Sequence, residues 1–331
     1  MKKNRKLLSL TALSLGLSTA VIGNSATVLA ADSENRYAPL GIRLNSFYVF
    51  PVLEFGISHD DNIFRLPEQN GRTTGAFVDG PVSDNILTTV GSVTVNSDWS
   101  RHALDGKAVI DLGKFDEFSG EDYSNYDFGV SGKLDVKRGS YFTGKTGFRR
   151  TDEDRNSVED REVDPGASAE EIFGIEPTSL SAQYVGVGFD YKPARLGVSL
   201  DLDYKTLDYD DVTNAFNGNV DNDDRDRTLV DALLRISYEV RPKRSIYIEG
   251  NVDSVDYDQQ FDSSGIERSS DGFQSAIGMN FDLSNLLLGD VYIGHVDRDY
   301  DNPTQSDIDS TSAGANLKWF PTRLTLSLIH I

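Results

Sequence analysis

Arg195-Leu196-Gly197-Val198-Ser199-Leu200-Asp201-Leu202-Asp203-Tyr204-Lys205 alternates without a break between apolar and polar side chains. In an extended chain Leu196, Val198, Leu200, Leu202 and Tyr204 fall on one face and Gly197, Ser199, Asp201, Asp203 and Lys205 on the other, because successive side chains of a strand point to opposite sides. Strands of soluble sheets usually run about five or six residues, whereas roughly 9 to 11 are needed to cross a bilayer at a tilt. Val230–Val240 repeats the pattern, and so does Phe273–Leu283. About twelve segments of this kind follow one another from Phe47 onward.

The connections alternate as well. Short ones are expected at Asp98–Arg101, Lys137–Ser140, Lys192–Arg195, Arg241–Arg244, Ser284–Leu287 and Phe320–Arg323. Long ones are expected at His59–Asn85, Gly113–Tyr123, Thr151–Leu180, Thr206–Arg227, Tyr257–Asp271 and Asp297–Ser310. Short turns on the periplasmic side and long loops outside are the asymmetry of a transmembrane barrel, and no such rule governs soluble sandwiches. The expected fold class is therefore all-β: a transmembrane antiparallel up-and-down β-barrel with about twelve strands and the start of another. Proline marks several short turns, as in Lys192-Pro193-Ala194, Arg241-Pro242-Lys243 and Phe320-Pro321-Thr322, where it presets φ and cannot join a central ladder. Phe142, Tyr191, Tyr238 and Trp319 fall near the short turns, and Tyr126, Phe148, Tyr204 and Phe273 near the long loops. Two interfacial girdles would place them so, although aromatics are common in any strand.

The N-terminus opens with Lys2, Lys3, Arg5 and Lys6, continues through an apolar stretch from Leu7 to Gly23, and leaves on the small-residue exit Val28-Leu29-Ala30. That is the build of a secretory signal cleaved after Ala30, with an uncleaved anchor as the alternative. The expected division is 1–30 signal peptide, 31–46 periplasmic N-terminal segment and 47–331 barrel. No later run is apolar enough for a transmembrane helix, so an exported chain is either soluble or inserted as a barrel. There is no cysteine, which excludes a disulfide-stapled secreted domain. Removing four basic and no acidic residues with the signal takes the formal charge from −21 to −25. Such a surface disfavours nucleic acid and favours cationic partners.

The segment Ala38-Pro39-Leu40-Gly41-Ile42-Arg43-Leu44-Asn45-Ser46-Phe47, then Phe50-Pro51-Val52-Leu53-Glu54, then His59-Asp60-Asp61-Asn62-Ile63-Phe64, resembles the opening of the outer-membrane β-barrel porin family of proteobacteria. The match carries a Gly-Ile-Arg start, a strand with Pro and Glu, and an Asp-Asp-Asn-Ile-Phe exit; His59 departs from the Tyr or Thr more usual there. The close likeness covers these roughly 30 residues, and the remainder fits in hairpin rhythm. The resemblance implies a Gram-negative outer-membrane barrel of a type sometimes linked to exopolysaccharide production and export, with no catalytic residues to carry over.

Candidate chemistry lies in two places. Asp60 and Asp61, Asp210 and Asp211, and Asp223 and Asp224 sit in oxygen-rich loop clusters that suit loosely bound Ca²⁺, or that cap their own turns by Asx hydrogen bonds. None has EF-hand spacing. By phase, Asp201, Asp203, Lys205, Asp231, Arg235, Glu239, Glu249, Asp253, Asp282 and Lys318 line an inward face that is mixed but net acidic, either wetting a lumen or closing it with cross-strand ion pairs. His59, His102, His295 and His330 are scattered, and only His59 beside Asp60 and Asp61 suggests water activation, without a placed serine or second carboxylate pair. No enzyme and no cofactor beyond loose Ca²⁺ is expected. The expected partners are outer-membrane lipid, lipopolysaccharide and polysaccharide-export machinery. The expected role is a conduit, and the alternative is a scaffold or adhesin acting through its acidic loops; a soluble β-rich envelope protein is a third class.

The last residues, Leu326-Ser327-Leu328-Ile329-His330-Ile331, lack the closing aromatic such barrels commonly end on and resemble a translated sequencing adapter. The reading frame is therefore expected to continue, with a barrel of about twelve strands and a short tail as the alternative.

Overall fold

The computed structural model describes residues 40–64, 81–153, 155, 176–213, 219–283, 287–322 and 325–330. The signal segment expected at 1–30 lies outside them. Residues Gly41–Ile331 form one compact unit.

That unit is a single antiparallel meander. Its strands are β1 (Ile42–Leu44), β2 (Phe47–Asp60), β3 (Asp84–Ser97), β4 (Ala103–Phe115), β5 (Tyr123–Lys137), β6 (Ser140–Asp152), β7 (Ser179–Tyr191) and β8 (Leu196–Tyr209). After a small ribbon of β9 (Val212–Thr213) and β10 (Asn219–Val220) follow β11 (Arg227–Arg241), β12 (Arg244–Tyr257), β13 (Ser270–Leu283), β14 (Leu287–Tyr300), β15 (Ile308–Thr322) and β16 (Thr325–His330). Fourteen strands pair in chain order in one sheet, and the β9–β10 ribbon stands apart. Twelve of the fourteen are 13 to 15 residues long. Among the described residues the ladder runs from β1 to β16 and no rung joins its ends, and no helix there is long and apolar enough to cross a membrane.

The short turns expected at 98–101, 137–140, 192–195 and 241–244 lie where the pattern put them. Residues 284–286 and 323 fall outside the described residues, as do 65–80, 154, 156–175 and 214–218 of the long loops. Two differences appear. The strands run beyond the apolar band at the loop end, as in β8, which continues to Tyr209. Backbone groups pair as well above a membrane as within it, so hydrophobic phase marks the band and not the end of the ladder. The segment 31–46 also contributes: Ile42–Leu44 turns at Asn45 (φ 54°) and pairs with Val49 back to Phe47. Because β1 reaches only Val49, Pro51 lies beyond it and its missing N–H breaks no rung on that side.

The ladder continues past three of the short turns. Gly139 O accepts from Lys192 N at 2.5 Å, Arg195 O from Glu239 N at 2.8 Å, and Lys243 O from Asp282 N at 2.8 Å. Gly139 takes φ 73°, and a Cβ there would stand 2.2 Å from the Lys192 carbonyl oxygen.

No large side chain in the described residues is fully buried. The apolar residues are on the surface instead: Leu53, Phe55, Ile57, Val130, Leu134, Val187, Leu196, Leu202, Val240, Ile248, Ile277 and Ile293 are all exposed. They share one face of the sheet through the registers that join β2 to β14. A water-soluble sheet would cover that face with a second layer. This one leaves it bare, which is stable only against lipid. The aromatics Phe142, Tyr191, Tyr238, Trp319, Tyr126, Phe148, Tyr204 and Phe273 all share the apolar face, Phe142 packing on Phe189 with ring centroids 4.7 Å apart.

Candidate functional site

The opposite face is polar. Asp203, Asp231, Asp253 and Gly272 are paired in one row across β8, β11, β12 and β13, and Arg235 pairs with Glu249 two steps nearer the short turns. Asp201, Lys205, Glu239, Asp282 and Lys318 fall on the same face by register. The structure thus brings all ten residues of the predicted lining to one side.

Their charges are knitted across strands. Lys145 Nζ lies 2.6 Å from Asp203, Arg235 meets Glu249 at 2.5 Å, and Arg298 binds Asp253. Asp127 takes both Arg149 at 3.0 Å and Lys107 at 3.3 Å. Asn251 donates to Asp231 at 2.8 Å, and the Tyr247 hydroxyl donates to Asp290 at 3.2 Å. Toward the short turns Lys243 meets Asp282 at 2.7 Å and Lys192 stands 3.9 Å from Glu239. Opposite charges one strand apart on one face are the sheet counterpart of helical i,i+4 pairs. At the loop end the face turns apolar: Ala182, Leu207 and Tyr209 form a small buried cluster flanked by Leu180 and Leu229. The Arg225 guanidinium covers it, 4.0 Å above the Tyr209 ring.

Each long loop is fastened to the next. Asp84 accepts from Glu117 N and Phe118 N at 3.1 and 3.0 Å, and Phe64 meets Phe118 edge to face. Glu121 and Arg155, both buried, form a two-pronged pair at 2.6 and 2.9 Å. Glu153 holds Arg225 at 2.6 Å, and Asn222 donates to Thr178 at 3.4 Å. Asp224 accepts from Ser263 N at 2.8 Å, and Asp301 N donates to Ser269 O at 3.0 Å. Sequence reading missed this belt, because its partners are isolated charges in separate loops with no spacing rule to link them.

The predicted acidic pairs divide. Asp60 closes an Asx turn on Asn62 N at 2.9 Å, and Asp61 is exposed. His59 and Asp60, adjacent in β2, point to opposite faces, and His59 Nδ1 instead lies 3.1 Å from Asn85 Oδ1. His102 Nδ1 accepts from Asp135 N at 3.1 Å, and His295 stands 3.8 Å from Asp309. Asp210 is drawn to Arg150 at 2.5 Å, and Asp224 is buried on Ser263. Asp211 and Asp223 do meet, together with Asp221: their carboxylate oxygens lie within 4.8 Å of one another. The Asp211 carboxylate is the first cause that pushes the Asp223 pKa up, with burial and Asp221 behind it. Three exposed carboxylates supply about half of the six to eight oxygens a Ca²⁺ takes, and Asp211 is already turned onto Asn222 N and Asn219 Nδ2.

Compared with known families, residues 34–329 match the family model described as "Putative beta-barrel porin 2". The chain belongs to that family. The bare apolar face is accordingly the lipid face of an outer-membrane β-barrel porin, and the knitted polar face is turned inward. Among solved structures, the chain is similar to the translocator domain of the autotransporter NalP from Neisseria meningitidis, at 10% identity and a TM-score of 0.30 over 81% of this chain and 86% of that one. No curated protein matches.

Proposed function

We propose that this porin-family chain is a conduit across the outer membrane with a preference for cations, carrying small solutes or a secreted polysaccharide. The observation that carries the reading is the inward face, where Asp105, Asp111, Asp190, Asp201, Asp231 and Asp290 make no ion pair among the described residues and outnumber the basic residues left over once the pairs are made. Fixed negative charge around a wet lumen concentrates cations. The finer reading, export of a polysaccharide, is supported by Tyr141, Tyr184, Tyr247 and Tyr292 on the same face, since tyrosine rings offer sugars both a flat surface and a hydroxyl. Polysaccharide-export machinery would then be the partner, and no catalytic step is part of the role. Reversal potentials in planar bilayers test it: folded protein should conduct and favour cations, less so as salt screens the lining. Anion preference, or no conductance from correctly folded protein, would refute the reading.

The belt of fastened loops favours a second reading, a non-conducting scaffold or adhesin whose rim is held in shape for an external ligand. Silent bilayers together with surface binding that is lost when the loops are cut would select it.

A further inference from the structure

The short-turn rim is as basic as the long-loop rim is acidic. Arg101, Lys137, Arg138, Lys192, Arg195, Arg241, Lys243 and Arg244 are all exposed at four successive turns. Some have partners within the protein: Lys192 and Lys243 reach Glu239 and Asp282, and Lys137 lies over Tyr191 at 5.4 Å. Arg138, Arg195, Arg241 and Arg244 make no ion pair among the described residues.

Their height is set by the strands. Arg195 pairs through its backbone with Glu239 and falls on the inward face with it, whereas Arg244 stands opposite Phe281 on the apolar face and the bulge after Glu239 sets Arg241 opposite Arg244. The apolar residues Val136, Val240 and Ile246, each about half exposed, are one or two positions from Arg138, Arg241 and Arg244. A strand rises about 3.3 Å per residue, so the Cα atoms of these arginines stand roughly 3 to 7 Å beyond the edge of the apolar band, with the headgroup layer within reach of their side chains. The polar layer of a bilayer is about 5 to 7 Å deep on each side. Tyr191, Tyr238 and Phe142 mark the boundary just inside it. A guanidinium fork fits two oxygens of one phosphate and keeps its charge at any pH.

We propose that this rim binds the phosphodiester headgroups of anionic glycerophospholipids through Arg138, Arg241 and Arg244. The membrane itself supplies phosphate at the level of these side chains, whereas a soluble acidic partner would have to enter the headgroup layer to reach them. The site thus selects the lipid around the inner mouth of the barrel, and the acidic loops leave the other mouth without such a preference.

The test uses the full folded chain in vesicles of phosphatidylcholine containing a minority of phosphatidylglycerol, extracted into nanodiscs, with the retained lipids quantified by mass spectrometry. Phosphatidylglycerol should be enriched over its share of the vesicle, less so at high salt. R138Q/R241Q/R244Q should bring the ratio back to that of the bulk. Both proteins are first checked for resistance to SDS before boiling. If the threefold variant does not fold, Arg241→Gln and Arg244→Gln are measured singly, each expected to weaken the preference by up to roughly fivefold. No enrichment in the parent protein, enrichment that survives in the folded variants, or displacement of phosphatidylglycerol by millimolar inorganic phosphate would each overturn the proposal, the last by showing a site for free anions.

Discussion

Asp226 shows how a single loop carboxylate is set by its surroundings. Burial pushes its pKa up to about 6, against the lowering effect of the Tyr209 N–H that donates to it at 2.6 Å, and Asp208, Asp223 and Asp258 add repulsion. A carboxyl that holds its proton more tightly in the folded protein than in the unfolded one lowers stability once both would be ionised. The contribution of Asp226 to stability should therefore be most favourable below about pH 4, fall as pH rises from about 4 to 6, and stay level above that. Asp226→Asn keeps the acceptor for Tyr209 and removes the charge, so it should stabilise the protein at pH 7 by about 1 kcal/mol after discounting for solvent. Thermal melts of the detergent-folded protein at pH 4 and pH 7 check this; an equal effect of the substitution at both would contradict the assignment.

Two kinds of element carry the architecture. Three short turns are each bonded to the next hairpin, and Gly139 is the tightest of them. Gly139→Val would force a β-branched residue to φ 73° and drive its Cβ into the Lys192 carbonyl, a combination of backbone strain and clash costing well over about 1 kcal/mol. The expected outcome is a smaller fraction migrating as folded before boiling, with the lumen-facing pairs untouched. The described residues of successive long loops are joined by buried ion pairs. Arg155→Met would leave the Glu121 carboxylate buried without its guanidinium, at a cost of roughly 3 kcal/mol. Protease should then cut the β4–β5 and β6–β7 loops on the order of a hundredfold faster, while the barrel remains resistant. Unchanged cleavage would show that the clasp contributes nothing.

For the whole molecule, lipid replaces the apolar interior that a soluble protein would build. The lipid face around Leu200 is near mid-membrane, since the alternating band of β8 runs from Leu196 to Tyr204. Leu200→Arg should destabilise the folded protein by about 2 to 4 kcal/mol, whereas Ser199→Arg, one position along on the inward face, should cost far less. Urea titration of both variants refolded into vesicles separates the faces, and equal losses would undo the assignment. The same reasoning predicts that the protein fractionates with outer membranes and resists SDS until boiled; recovery without detergent in the periplasmic fraction would contradict it.

Much of this fold is written in local sequence. Alternation over Arg195–Lys205 and its sister segments assigns each side chain to a face, because a strand has period two and a slip of one residue would put Asp201 and Asp203 in lipid. Pro193 and Pro242 punctuate the turns for reasons equally local, so the twelve long strands, the two faces and the side on which the ten polar residues fall could all be placed from the chain alone, whereas β1, only three residues long, shows no period by which to foresee it. The loops could not be placed so. Glu121 with Arg155, Glu153 with Arg225 and Asp224 with Ser263 are separated by 34, 72 and 39 residues, and no periodicity relates them. Likewise the three carboxylates that meet are Asp211, Asp221 and Asp223, while their neighbours Asp210 and Asp224 are claimed by Arg150 and Ser263. Facing is a property of the backbone's own repeat, readable one residue at a time. Which charge meets which across loops depends on how the registers of successive hairpins bring distant segments to the same rim, and only the assembled sheet decides that.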